Sequence, residues 1–261
     1  EALPDQFASQ QVVDAASLDP KQFDLVFSAV ESDAARKLEE RFAPHVPVVS
    51  TSSAFRYEDD VPIIVPGVNQ DHAALVKRQQ RERGWKGFVV PIPNCTTTGL
   101  VVALSPLQRR FGLRSVIMTS MQALSGAGRS PGVSSMDILD NVIPYIAKEE
   151  DKVQKETQKI LGALEGDRIA PLPLPVSAHC NRVNVRDGHT ECVSAGLGRA
   201  AGLDEVRDAL RSFGREFTDL GLPSSPPELC RVHEDPFRPQ PRLDRDTNDG
   251  MTAVVGRLRE D

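Results

Sequence analysis

The run from Gly87-Phe88-Val89-Val90 through Pro93-Asn94-Cys95-Thr96-Thr97-Thr98 into Gly99–Phe111 constrains this chain more than any other stretch. A short apolar β-like run passes directly into an apolar-periodic segment, so a strand, a tight turn and a helix follow one another. The cysteine sits in the first turn of that helix. There it faces unpaired backbone N–H groups and the positive end of the helix dipole, and both favour thiolate over thiol. The thiolate is the attacking species, so Cys95 reads as a nucleophile. The alternative is a small buried core residue.

Upstream, strands and helices alternate. Asp24–Val30 reads as a strand, Ser32 as the N-cap of a helix over Asp33–Phe42, and Pro47–Ser50 and Pro62–Val65 as further strands. A helix is expected over Asp71–Arg83. Apolar strands separated by single helices predict a parallel α/β sheet. Downstream the pattern becomes α+β. Arg114–Leu124 reads as a long strand, residues 125–132 as a Gly/Ser/Pro loop, and Glu149–Leu164 as a helix. Strands over Pro175–Val185 and Thr190–Leu197 flank an Arg186-Asp187-Gly188 turn, and a hairpin there would bring Arg182 and His189 to one wall. A helix over Asp204–Phe217, a proline- and charge-rich stretch over 221–246 and a strand over Met251–Leu258 complete the chain. The change of pattern divides it into residues 1–94, a partial nucleotide-binding domain, and residues 95–261, a catalytic domain. No Gly-rich phosphate-binding turn precedes residue 92 and Glu1–Ser17 reads as polar coil, so the cofactor turn is expected to be lost or the sequence to be a fragment.

The 261 residues suffice for a sizeable core, and a net charge of −6 argues against a nucleic-acid scaffold. Four cysteines (Cys95, Cys180, Cys192 and Cys230) are spaced neither as a disulfide framework nor as a zinc site. No metal is expected, and a reducing, cytoplasmic setting is the simpler reading. There is no run of eighteen apolar residues and no signal-like N-terminus, so no membrane association is expected.

With Pro93–Leu100 stand further motifs in order: Ser53-Ala54-Phe55-Arg56, Gln122–Gly128, Asp137–Gly162, Asn181-Arg182-Val183, Asp187-Gly188-His189-Thr190-Glu191 and Gly250–Arg257. Together, over roughly residues 20–258, they resemble the aspartate-semialdehyde dehydrogenase family in its fungal and archaeal branch. Thr51 and Asp249 depart from asparagine and Asn-Gly positions of that pattern. The resemblance implies an incomplete Rossmann-like NADP-binding domain joined to an α+β catalytic and dimerisation domain of the glyceraldehyde-3-phosphate dehydrogenase type. It implies NADPH-dependent reductive dephosphorylation of L-4-aspartyl phosphate to L-aspartate 4-semialdehyde, on the route to lysine, threonine, methionine and isoleucine. It also implies a homodimer or homotetramer.

The same resemblance distributes the roles. Cys95 would form the thioester, a carbonyl electrophilic enough to accept hydride. His189 would serve as acid and base, chosen by the motif over His179. Arg182 would bind the substrate carboxylate. Glu149 would take the amino group and Lys152 the phosphate; the two are also helix neighbours that could form a plain surface ion pair. Glu150 would have only that surface role. Arg56 and Asn94 would complete the phosphate pocket, Gln122 would touch the acyl group, and Ser125 and Gly126 would approach the nicotinamide of NADP. Three alternatives stand beside this reading: a malonyl-CoA reductase-like enzyme, an N-acetyl-glutamyl-phosphate reductase-like enzyme, and a truncated noncatalytic dimerisation module.

Overall fold

The computed structural model describes residues 8–128 and 132–260, so the first seven residues of the expected polar coil and three of the Gly/Ser/Pro loop lie outside the described residues. In the first part of the chain, β1 (Val26–Ser28), α1 (Ser32–Phe42), β2 (Pro47–Ser50), α2 (Leu75–Arg83) and β3 (Phe88–Pro91) form a parallel sheet of order β1-β2-β3 with helical crossovers. Parallel neighbours need such crossovers, because a tight turn cannot return the chain to the same end of the sheet. The core of this unit is Phe42, Ala43, Val46, Val48, Phe55, Val61 and Val89.

Helix α3 (Cys95–Phe111) leaves β3 and joins the two parts of the molecule. Val101 and Val102 pack with Ile63, Val65, Val68, Phe213 and Leu229. Leu100 and Leu104 pack with Val116, Met118, Val153 and Ala178. A helix buried on several faces belongs to the centre of a fold, and this fixes its N-terminal turn.

Beyond it come β4 (Leu113–Gln122), α4 (Ser135–Ile138), β5 (Val142–Ile143), α5 (Glu149–Ile160), β6 (Ala163–Glu165), β7 (Arg168–Ala170), β8 (Val176–Val183) and β9 (Thr190–Leu197). The sheet order is β5-β8-β4-β9, with β8 parallel and β9 antiparallel to β4. Alternate β4 residues Val116, Met118, Ser120 and Gln122 are buried, as a period of two requires. Then α6 (Leu203–Arg211), α7 (Arg215–Thr218), β10 (Cys230–Val232), α8 (Pro241–Asp244) and β11 (Ala253–Val255) follow, β10 and β11 pairing in parallel. Among the described residues no helix is long and apolar enough to cross a membrane.

The structure corrects several expectations. Pro62–Val65 forms no ladder: Pro62 has no N–H, and a single bond joins Ile64 N–H to the Pro91 carbonyl at 3.3 Å. Ser32 is the first residue of α1 and Glu31 its N-cap, with no side-chain cap. The Asp71–Arg83 helix begins as a 3-10 turn over Gln70–Ala74. The Glu149–Leu164 helix stops at Ile160, and the chain turns into the β6-β7 hairpin. The Asp204–Phe217 helix stops at Arg211 and a short helix resumes after Gly214, whose φ of 74° is left-handed. Above all, β8 and β9 are not a hairpin. They flank β4, and the turn between them crosses the end of β4, held by Leu124 and Ser125 N–H groups on the Val185 and Arg186 carbonyls.

Candidate active site

Asn94 is the N-cap of α3, and its Oδ1 accepts the N–H groups of Thr96 and Thr97 at 2.9 and 3.2 Å. The cap satisfies two orphan donors of the first turn and so holds the backbone that carries Cys95. Its Nδ2 donates to Glu149 Oε1 at 2.7 Å, and its backbone N–H donates to Glu156 Oε2 at 2.6 Å. Asn94 is therefore gripped from α5 by two carboxylates two helical turns apart.

Cys95 Sγ lies 3.2 Å from His189 Nε2. The other ring nitrogen of His189, Nδ1, accepts the Ala123 N–H at 3.1 Å. A backbone N–H can only donate, so Nδ1 carries no proton in the neutral ring and the hydrogen resides on Nε2. That hydrogen points at the sulfur. The Ala123 carbonyl in turn accepts Arg182 Nη1 at 2.7 Å. One residue, Ala123 just past the end of β4, thus orients both the histidine, which immediately precedes β9, and the arginine of β8.

Burial, then Arg182, push the His189 pKa down, with Glu149 opposing. Cys95 retains solvent contact, but its surroundings first and the Glu149 carboxylate second raise its thiol pKa. The Thr96 N–H lowers it, as the position in the helix suggests, without prevailing. The helix end alone therefore does not favour a thiolate here, because burial and Glu149 outweigh it.

Gln122, 1% exposed, donates from Nε2 to Glu149 Oε1 at 3.2 Å. Glu149 Oε2 lies 3.5 Å from Lys152 Nζ. Arg56 is buried; its Nη1 donates to Glu156 Oε1 at 3.0 Å and its Nη2 to the Thr51 carbonyl at 2.7 Å, while Nε has no partner. Removing one partner of a buried pair such as Arg56–Glu156 leaves an uncompensated charge, at a cost of about 3–5 kcal/mol. Glu150 does more than a surface role requires, since its Oε1 accepts the Cys180 N–H at 3.1 Å. Ser125 and Gly126 lie in a 3-10 turn beside His189 and Arg182. A Cβ on Gly126 would fall 2.9 Å from Arg182 Nη1 and 3.2 Å from His189 Cε1, so a side chain there would have to displace one or both.

Cys95, His189, Gly99 and Glu191 line a cavity of about 1830 Å³. Burial pushes the Glu191 carboxyl up to about 8. The sequence reading passed over Glu191, Glu156 and the Ala123 backbone. Glu156 did leave a signal: Glu149, Val153, Glu156 and Ile160 follow helical spacing, so a carboxylate stands in the apolar stripe of α5.

A parallel α/β unit, a capped helix that opens on Cys95 and a histidine brought to that thiol define a class, and family models name it. The model for the semialdehyde dehydrogenase NAD binding domain matches residues 2–76, and that for the semialdehyde dehydrogenase dimerisation domain matches residues 104–261. Aspartate-semialdehyde dehydrogenase of Archaeoglobus fulgidus is 48% identical over 98% of this chain and 76% of its own length. That of Saccharomyces cerevisiae is 44% identical over 92% of this chain and 70% of its own. The crystal structure of the Candida albicans enzyme with NADP superposes with a TM-score of 0.88 at 41% identity, covering 100% of this chain and 76% of that one. The chain belongs to the aspartate-semialdehyde dehydrogenase family.

Proposed function

We propose that this chain catalyses the reductive dephosphorylation of L-4-aspartyl phosphate to L-aspartate 4-semialdehyde through a thioester on Cys95. The observation that carries the reading is the 3.2 Å approach of His189 Nε2 to Cys95 Sγ at the capped start of α3. The thiolate attacks the acyl carbon and the C–O bond to phosphate breaks, leaving an acyl-enzyme. NADPH, when bound, supplies the hydride that reduces this thioester. Collapse of the resulting hemithioacetal then expels the thiolate and releases the aldehyde. In the tautomer imposed by Ala123, His189 is a donor: its Nε2–H stabilises the sulfur anion as attacking and leaving group. The same geometry argues against the ring taking the thiol proton at Nε2, so that proton leaves to solvent, with which Cys95 keeps contact.

The remaining roles follow the chemistry of the donors. Arg182 takes the α-carboxylate, Glu149 the ammonium through Oε2, and Lys152 with the unpartnered Nε of Arg56 the phosphate. Gln122 contacts the acyl group. Asn94 serves the phosphate pocket through position, because its side chain is already engaged. The close-lying Ser125–Gly126 turn fits the nicotinamide end of NADP, with the backbone set where a side chain would displace Arg182 or His189. Residues 1–94 form the nucleotide side and residues 95–261 the catalytic and dimerising side of a homodimer or homotetramer. Four free cysteines suit a reducing cytoplasm, where the product feeds lysine, threonine, methionine and isoleucine synthesis.

A buried carboxylate at Glu149 favours an amino-bearing substrate over malonyl-CoA. The test is NADP reduction by the semialdehyde in the presence of phosphate, beside NADPH oxidation with malonyl-CoA. Phosphate-dependent turnover with the semialdehyde is expected. Turnover with malonyl-CoA alone would overturn the reading.

A further inference from the structure

We propose that Glu156 is a positioning residue that couples the phosphate-binding guanidinium of Arg56 to the start of the helix carrying Cys95. The carboxylate is wholly buried, at 0% exposure, and three donors converge on it. Its Oε2 accepts the Asn94 N–H at 2.6 Å, and its Oε1 accepts Arg56 Nη1 at 3.0 Å and the Tyr57 hydroxyl at 3.1 Å. One carboxylate therefore spans two elements: the α3 N-cap and the loop that follows β2. The Arg56 side of this arrangement is secured again from α5, where Lys159 Nζ donates to the Arg56 and Glu58 carbonyls at 2.8 Å each.

The result for Arg56 is specific. Glu156 holds its Nη1 and the Thr51 carbonyl holds its Nη2, so the planar fork is fixed and only Nε remains unpartnered. Glu156 also neutralises the buried guanidinium while no anion is bound. The inference rests on the reading of Arg56 as a phosphate ligand; the grip on Asn94 does not.

Two variants separate the halves. Glu156→Gln can still accept the Asn94 N–H but turns an NH2 group toward Arg56 and Tyr57. In phosphate-dependent oxidation of the semialdehyde it should raise the KM for phosphate about tenfold or more, with the KM for semialdehyde within about twofold. Its rate of Cys95 alkylation by iodoacetamide should stay within about twofold of wild type. Glu156→Ala, which offers no acceptor, should slow that alkylation about tenfold. An unchanged phosphate KM in Glu156→Gln, or a parallel rise in both KM values, would overturn the coupling to Arg56. Wild-type alkylation in Glu156→Ala would overturn the coupling to Cys95.

Should the Glu156 single variants fail to fold, Arg56→Gln, in which Glu156 keeps the Asn94 N–H and the Tyr57 hydroxyl, and the double variant Arg56→Gln/Glu156→Gln, which leaves no unpaired buried charge, give the same answer. Equal phosphate KM values in the two support the proposal, and a further rise in the double variant contradicts it. Wild-type protein without phosphate-dependent turnover would remove the proposed function. The alkylation comparison would then still read the hold of Glu156 on α3.

Discussion

Asn94 donates to Glu149 through Nδ2 at 2.7 Å while Oδ1 of the same side chain caps α3. The residue that starts the helix carrying Cys95 thus also fixes the Glu149 carboxylate. Asn94→Ala should lose the cap, at about 1 kcal/mol of stability, together with the bond to Glu149. Asn94→Asp keeps the cap acceptors but sets a carboxylate against Glu149. Denaturant unfolding and steady-state kinetics should therefore diverge, with Asp approaching wild type in stability more closely than Ala but no better than Ala in turnover. Recovery of full turnover by Asn94→Asp would show that the Glu149 bond is dispensable.

His189 should be found as the Nε2–H tautomer. Protonation would place a hydrogen on Nδ1 against the Ala123 N–H, and burial and Arg182 already lower the pKa. In 15N spectra at pH 7.5 the Nε2 should be protonated, and the titration midpoint should fall below 6.5, the ordinary value of the ring. Alkylation of Cys95 should rise with pH to a midpoint above the usual thiol value of about 8.5, because burial and Glu149 oppose the anion. An Nδ1–H tautomer, or a His189 midpoint above 6.5, would rule out the donor role.

Glu191 gives a signed pH dependence. Its carboxyl is raised from 4.5 to about 8 by burial, so between those values the folded chain binds a proton that the unfolded chain has lost. Stability from this group is complete below pH 4.5 and declines as pH rises through 8. Glu191→Gln, a neutral isostere, should match wild type in turnover at pH 7. It should also melt at a higher temperature relative to wild type at pH 8.5 than at pH 5. A melting difference independent of pH would mean that Glu191 is already ionised.

The strand–turn–helix at Cys95 was legible because its signals are local: a β-branched run, an asparagine cap and apolar periodicity. The pairing of His189 with Cys95 was legible only through the motif set, since nothing in spacing joins positions so far apart. The hairpin between Arg182 and His189 was misread for the same reason. Their seven-residue separation is local, but β4, which lies between their strands, comes from far upstream. The Pro62–Val65 run showed that an apolar pattern reports burial and not ladder pairing: Val61, Ile63 and Val65 are buried without a strand. Glu156 left a signal, a carboxylate at an apolar helix position, but its role takes meaning only once its partners from two other segments are in place.

The most direct test of the account is to mix the protein with L-4-aspartyl phosphate in the absence of NADPH, quench in acid and map the peptides by mass spectrometry. An aspartyl adduct on the peptide containing Cys95, absent from Cys95→Ser, is the expected result. Normal turnover in Cys95→Ser, or an adduct on any other side chain, would contradict it.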